Sequence, residues 1–289
     1  MQYYNLSTYL REKYGKRLKK ICIDGGFSCP NRDGTCGEGG CIYCGERGAG
    51  EHIDPTLSIS EQVTSALSSG APDDLYIAYF QNFTNTYAPP EELKRRYDAA
   101  LISDNIKILS VGTRPDCISR EVCEVLSEYT NEREVWVELG LQTASDEVAE
   151  VIRRGYKLSV FEGAVSLLRE YGLKFVVHMI IGLPGYDIEG VKRTADYIAK
   201  ISPFGVKIHS IYVMDGTTLA EMYREKRYTP PSLDEYAALA AYSISVMPKS
   251  TVIHRITGDC PRDLLVAPEW NRDKNAIIDR INEKLKLYV

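Results

Sequence analysis

At 289 residues and 32.5 kDa, with 44% hydrophobic content, the chain can bury one large core or two modest ones. A net charge of -5 supplies no molecule-wide field that attracts nucleic acid, so any RNA contact must use a local patch. No apolar run approaches the ~20 residues that span a bilayer, and the N-terminal MQYYNLSTYLREKYGKRLKK lacks the apolar centre of a secretion signal, so no membrane contact and a cytoplasmic location are expected.

The chain opens on basic residues. Arg11, Lys13, Lys16, Arg17, Lys19 and Lys20 cluster with few acids, which fits a solvated helix face or a phosphate-binding arm, and residues 1–20 read as a basic N-terminal extension. Beyond it, apolar β-rich runs alternate with amphipathic stretches, the pattern of repeated βα units around a parallel sheet. Strands are predicted at 20–24, 75–81, 107–112, 134–141, 174–181, 206–213 and 251–256. Helices are predicted at 60–69, 90–102, 119–129, 145–154, 158–171, 187–201, 217–226, 232–247 and 273–286. Ser119 is placed to cap one helix and Gly172 to end another, while Pro230 and Pro231 mark a break. A second basic group, Lys94, Arg95 and Arg96, carries the same two readings as the first. The expected architecture is α/β: a partial (β/α)6 TIM-type barrel over 21–215, with a C-terminal extension over 216–289 packing on it.

Eight cysteines are too sparse for a disulfide scaffold in a chain this long, and four of them crowd into residues 29–44, which favours metal ligation in a reducing compartment. Cys29, Cys41 and Cys44 stand as C-x11-C-x2-C, with Tyr43 before the last. A CxxC hairpin plus one distant thiolate can grip three corners of a cubane [4Fe-4S] cluster and leave one iron open, whereas full ligation takes four thiolates. The competing reading adds Cys36 and closes a four-thiolate zinc site, although 29–44 lacks a second CxxC. Cys22 and Cys123 read as core thiols, and Cys117 and Cys260 as loop thiols with a redox or substrate-quenching role as the alternative. The cysteine loop and the stretches QNFTNTY, GTRPD, LQT and GLPG each follow one of the first five predicted strands. In barrels of this kind that is the end where chemistry sits.

The segment CPNRDGTCGEGGCIYC resembles the cluster loop of the radical S-adenosylmethionine (SAM) superfamily. With SVGTRPDC at 110–117, VELGLQT at 137–143, HMIIGLPG at 178–185, QNFTNTYAP at 81–89 and HRITGDCPRDLLVAPEW at 254–270, the chain is similar over nearly its whole length to Elp3-related members. The resemblance implies Cys29, Cys41 and Cys44 as cluster ligands and SAM on the open iron. It assigns Gln142 to the ribose, Arg154 or its neighbour Arg153 to the methionine carboxylate, Thr84 and Asn85 to the amino group, and Gly182, Pro184 and Gly185 to the adenine. Strand alternation puts Glu138 on the same face as Gln142, for SAM or substrate. His178, leading into GLPG, is a further candidate, and His209 on the next strand reads as a core histidine. Thr113, Arg114 and Asp116 are polar groups at a strand end, and Gly112 departs from Elp3 proteins, where a Glu is usual. His254, Arg255, Asp259 and Arg262 are expected at a substrate-side pocket.

The same resemblance implies an electron donor such as flavodoxin or ferredoxin, and tRNA as partner. With no acetyltransferase segment in these 289 residues, the expected reaction is radical remodelling of a side chain at position 5 of the wobble uridine, such as carboxymethylaminomethyl to aminomethyl. A small-metabolite substrate and a zinc-stapled RNA-binding adaptor without catalysis are the alternatives.

Overall fold

The computed structural model describes residues 3–48, 53, 54 and 56–288. In chain order it contains α1 (Leu6–Tyr14), β1 (Leu18–Ile23), α2 (Ile59–Ser68), β2 (Leu75–Phe80), α3 (Pro90–Ala100), β3 (Ile106–Thr113), α4 (Arg120–Glu128), β4 (Glu134–Gln142), α5 (Asp146–Val151) and α6 (Leu158–Glu170). It continues with β5 (Lys174–Ile181), α7 (Ile188–Ile201), β6 (Gly205–Ser210), β7 (Val213–Met214), α8 (Thr218–Arg224), α9 (Leu233–Ser245), β8 (Val252–Arg255), β9 (Leu265–Ala267) and α10 (Lys274–Leu285). Seven strands pair in the order β1-β2-β3-β4-β5-β6-β8, every neighbour parallel, in a curled half-barrel.

Strands covered on both faces read as continuous apolar runs, as LYIAYF of β2 and KFVVHMII of β5 do. Outward residues such as Ile21, Ile23, Phe80, Leu109, Val137 and Val177 form the main core with the apolar stripes of the helices. α9 begins on a reciprocal cap between Ser232 and Glu235. Ser232→Ala should lower stability by about 1 kcal/mol in denaturant unfolding, since it strands one amide donor of the first turn.

The floor of the barrel comes from the N-terminal segment. α1 sits beneath the strands, where Leu10 packs with Ile77, Ile108, Trp136 and Val176, and the Tyr9 ring meets Phe204 edge-on at 5.2 Å. Glu134, buried in this plug, accepts from Lys13, Lys174, Tyr9, Tyr14 and the Trp136 indole. Lys16 and Lys19 reach Asp73 and Asp74 at 2.8 and 2.5 Å. Half of the first basic cluster, Lys13, Lys16 and Lys19, is therefore committed to acids at the barrel base, and Arg17 bonds to Ser7, which leaves the phosphate-binding-arm reading with Arg11 and Lys20; Met1 and Gln2 of that extension lie outside the described residues. The second group is likewise engaged: Lys94 with Glu128, Arg95 and Arg96 with Glu92.

One expectation changes at the C-terminal side. The strand expected over 206–213 leaves the sheet after Ser210, and Val213–Met214 pairs instead, antiparallel, with Leu265–Ala267. Within the expected C-terminal extension, β8 joins the sheet edge beside β6 in addition to the extension packing on the barrel.

Candidate active site

The cluster loop leaves β1 and is shaped by its own backbone. The amide of Arg32 bonds to Cys29 O at 2.8 Å, that of Gly40 to Asn31 O at 2.8 Å, and that of Cys44 to Cys41 O at 3.0 Å, which closes the CxxC turn. Ile42 is buried in a second apolar cluster with Val148, Ile152, Leu183 and Ile211, and bonds through its amide to Ile152 O and through its carbonyl to the Leu219 amide. The CxxC hairpin is thus nailed between α5 and α8. The Arg32 guanidinium lies over the Phe83 ring and donates to the carbonyls of Cys44, Gly45 and Glu46.

Cys29, Cys41 and Cys44 all line one cavity of about 300 Å³ at the C-terminal ends of the strands. Cys41 is held at about 7, below an ordinary thiol, chiefly because the Cys44 thiol donates to it, with Arg114, Tyr43 and Asn31 adding to this against the effect of burial. The Cys44 thiol is pushed well up in return. Cys36 lies elsewhere: it lines a separate hollow with Asn31, Glu150 and Arg153, and its sulfur points to Asp116 at 3.8 Å. Among the described residues no three His, Cys, Asp or Glu side chains converge as ligands of a single ion. That arrangement does not make the four-thiolate zinc site; a cubane spreads its three thiolates over three irons and needs no such convergence.

Gln142 and Thr84 line the same cavity. Gln142 ends β4 at φ 60°, a backbone conformation that costs a non-glycine residue energy, with its side chain 3.1 Å from the Tyr156 hydroxyl. Thr84 is fully buried and its hydroxyl oxygen has no partner, which marks it as waiting for a ligand group. Asn85 does not line the cavity; its amide donates to Phe80 O and Gly112 O and ties the ends of β2 and β3. Arg154 lines the wall but is 1% exposed, and its guanidinium donates to the carbonyls of Leu141, Thr143 and Tyr156, fixing the turn after β4. Arg153, at φ 53°, lies on the separate hollow. Gly182, Pro184 and Gly185 fall outside the cavity lining. Gly182, at φ 96°, packs against Ile211 and Pro231, and its carbonyl accepts from Tyr228 at 2.5 Å. Gly112 does line the cavity, and a Cβ there would stand 3.1 Å from Phe80 O.

Deeper in the barrel is a buried polar layer. Glu138, 2% exposed, accepts from Ser110 at 2.7 Å, His178 at 2.7 Å and Lys207, whose ammonium also donates to Tyr79 at 3.1 Å. Burial alone would raise Glu138, but Lys207 and the His178 hydrogen bond outweigh it and hold the carboxyl well below its usual range. Burial likewise pulls Lys207 down to about 7 against the attraction of Glu138, and keeps His178 below an ordinary histidine. The His209 ring lies tilted beside that of His178, centroids 5.2 Å apart, and His209 lines the cavity with Arg255 and Asp259. His254 does not: it is wedged against Trp136 at 4.9 Å in the floor, and Arg262 is exposed. Cys22, expected in the core, instead faces the cavity, because its neighbours Ile21 and Ile23 take the outward face.

A family model described as the Radical SAM superfamily matches residues 33–198, and one for the Radical_SAM C-terminal domain matches 203–287. The chain belongs to the radical SAM superfamily. It is 35% identical over 289 residues to YtqA of Bacillus subtilis (strain 168), covering 99% of this chain and 90% of that protein. A 162-residue stretch is 34% identical to a tRNA uridine(34) acetyltransferase of Methanocaldococcus jannaschii, covering 55% of this chain and 29% of that one. Among solved structures, an Elp3 of Methanocaldococcus infernus superposes with TM-score 0.67 at 22% identity, over 92% of this chain and 63% of the Elp3 chain.

Membership in the radical SAM superfamily implies an iron-sulfur cluster and SAM, and the residues present fit both: three thiols, Gln142 and the orphaned Thr84 hydroxyl line the same cavity. Sequence reasoning passed over Arg32 and Lys207. A lysine inside the apolar strand GVKIHS was a signal for the second, because a charge there must have a buried partner. Arg32→Ala should weaken retention of the cluster by roughly 10–100-fold, the range for groups that orient metal ligands. Release of iron to a chelator would measure it.

Proposed function

We propose that this radical SAM protein is an enzyme that remodels the side chain of a 5-substituted wobble uridine in tRNA, converting carboxymethylaminomethyl to aminomethyl. Loss of a hydrogen atom and one further electron from the carboxymethyl carbon, the electron returning to the iron-sulfur centre, gives a protonated imine, and water splits it into the free amine and glyoxylate. The observation that carries the tRNA part is kinship with a tRNA uridine(34) acetyltransferase over 162 residues, in a chain whose own cavity can admit a slender group. A [4Fe-4S] cluster and SAM, when bound, supply one-electron cleavage of a carbon-sulfur bond and a carbon radical that takes hydrogen from the substrate. The chain does the rest. Cys29, Cys41 and Cys44 hold the cluster, Arg32 shapes their loop, Gln142 and Thr84 meet SAM, and the Glu138–Lys207–His178 layer orients the substrate beneath. Electrons come from a flavodoxin- or ferredoxin-type donor.

Reduced, reconstituted protein is expected to release 5′-deoxyadenosine from SAM. Nucleoside mass spectrometry of tRNA from a deletion strain should show the carboxymethylaminomethyl form accumulating, and an unchanged profile would end the tRNA reading. A small anionic metabolite is the second reading, favoured by the internal pairing of half the first basic group and all of the second. Binding of bulk tRNA over a salt series separates the two, since phosphate contacts impose a steep salt slope.

A further inference from the structure

The inner end of the cavity carries two cations, Lys207 and Arg255, and two acids, Glu138 and Asp259, but only Lys207 has an acid within hydrogen-bond distance among the described residues. Lys20 is exposed and lies outside the lining, its ammonium 4.8 Å from the centre of the Tyr79 ring that Lys207 approaches from 4.4 Å. Of the acids, Glu138 is already engaged by Ser110, His178 and Lys207. Asp259 is taken by Lys274 at 2.7 Å, and meets Arg255 only at 3.7 Å, longer than a hydrogen bond. A guanidinium lining a cavity without a hydrogen-bonded anion is unfavourable until a ligand supplies the charge. The planar guanidinium fork of Arg255 matches a carboxylate in two parallel hydrogen bonds. The depth also selects. Lys207 is 2% exposed behind Tyr79, His178 and His209, so a narrow substituent can approach it while a nucleic-acid backbone stays at the mouth.

We propose that Arg255 and Lys207, assisted by Lys20, form a seat for a carboxylate carried by the substrate. This deepens the wobble-uridine reading, since a carboxymethylaminomethyl group ends in a carboxylate, and rests on it only for the identity of the molecule bearing the acid. Cys22 lines the same cavity and serves as an internal reporter. In cluster-loaded wild-type protein, the rate of Cys22 alkylation by iodoacetate relative to neutral iodoacetamide is followed by site-resolved mass spectrometry. Arg255→Gln should lower that ratio about tenfold, the worth of one charge-assisted contact. Arg255→Lys should recover part of it, and Lys20→Gln should lower it less. Retained iron-sulfur absorbance shows that each variant is folded.

In wild-type protein, millimolar acetate should protect Cys22 and equal inorganic phosphate should not. A ratio indifferent to Arg255→Gln, or phosphate protecting as well as acetate, overturns the proposal. The tRNA reading fails separately, on the nucleoside profile: an unchanged profile together with an Arg255-dependent ratio would keep the carboxylate seat and move it to another acid.

Discussion

In a Cys41→Ala variant, iron and sulfide after anaerobic reconstitution are expected to fall to background, and 5′-deoxyadenosine formation to vanish with them. Cys41 is better prepared than its CxxC partner Cys44. Hydrogen bonding from Cys44 holds it at about 7, and the Asn31 amide lies 3.6 Å from its sulfur, so it is substantially thiolate before any metal arrives. Its loop has no substitute within reach. Cys36 faces Asp116 across a different hollow, and the packing of Ile42 between α5 and α8 prevents the hairpin from turning to recruit it. Cys36→Ala should therefore keep the cluster and the activity. A closed zinc site would give the opposite pattern, with metal lost equally from both variants, and would show no visible absorbance in the wild type.

The barrel was legible because its signals are local and repeated. β5 matches its predicted span, 174–181, and the other sheet strands and α2 to α10 differ from expectation by a residue or two, except where tertiary pairing intervenes at β6 and where α5 stops three residues short, at Val151; α1 is not among the predicted helices. Placement of the thiols at the strand C-termini followed from the same periodicity. What stayed hidden was set by contacts distant in sequence. The spacing of Leu6, Tyr9, Leu10 and Tyr14 fits a helix, but nothing local says that this helix plugs the floor and spends Lys13 on Glu134. GLPG has the residues for a close approach to a ligand, and Gly182 does make one, to Pro231 and Ile211 of its own chain. Arg154 shows why offset counting is incomplete: the position is right for the cavity wall, while its hydrogen bonds run to backbone carbonyls. Alternation identified Glu138 as inward, but its partner Lys207 lies on a strand two places along the sheet, a pairing that only the register reveals.

That pair sets the second large effect. Glu138→Gln is nearly isosteric, so its cost is almost wholly electrostatic: Lys207 must either stay buried as an ammonium with no counter-charge, at acid pH, or give up its proton, and His178 loses the anion it donates to. Breaking one side of such a pair costs about 3–5 kcal/mol, which for a chain of this size lowers the melting temperature by roughly 10 °C. The double variant Glu138→Gln/Lys207→Met should recover much of the loss, because the stranded charge is gone. The pH dependence has a definite sign. Glu138 titrates well below 4.5 in the folded protein, so the unfolded chain takes up the proton first as pH falls. Its stabilisation is complete above 4.5 and is lost on the acid side through the folded value, a limb the Gln variant must lack. Lys207 acts at the other end: between its folded value of about 7 and its ordinary 10.5 the unfolded chain binds more protons, so stability rises with pH across that window. Without Glu138 the folded Lys207 titrates lower still, and the rise begins at a lower pH. Denaturant midpoints that coincide for the wild type and Glu138→Gln from pH 4 to 10 would mean that the two charges do not meet in solution, and the polar layer beneath the cluster would lose its centre.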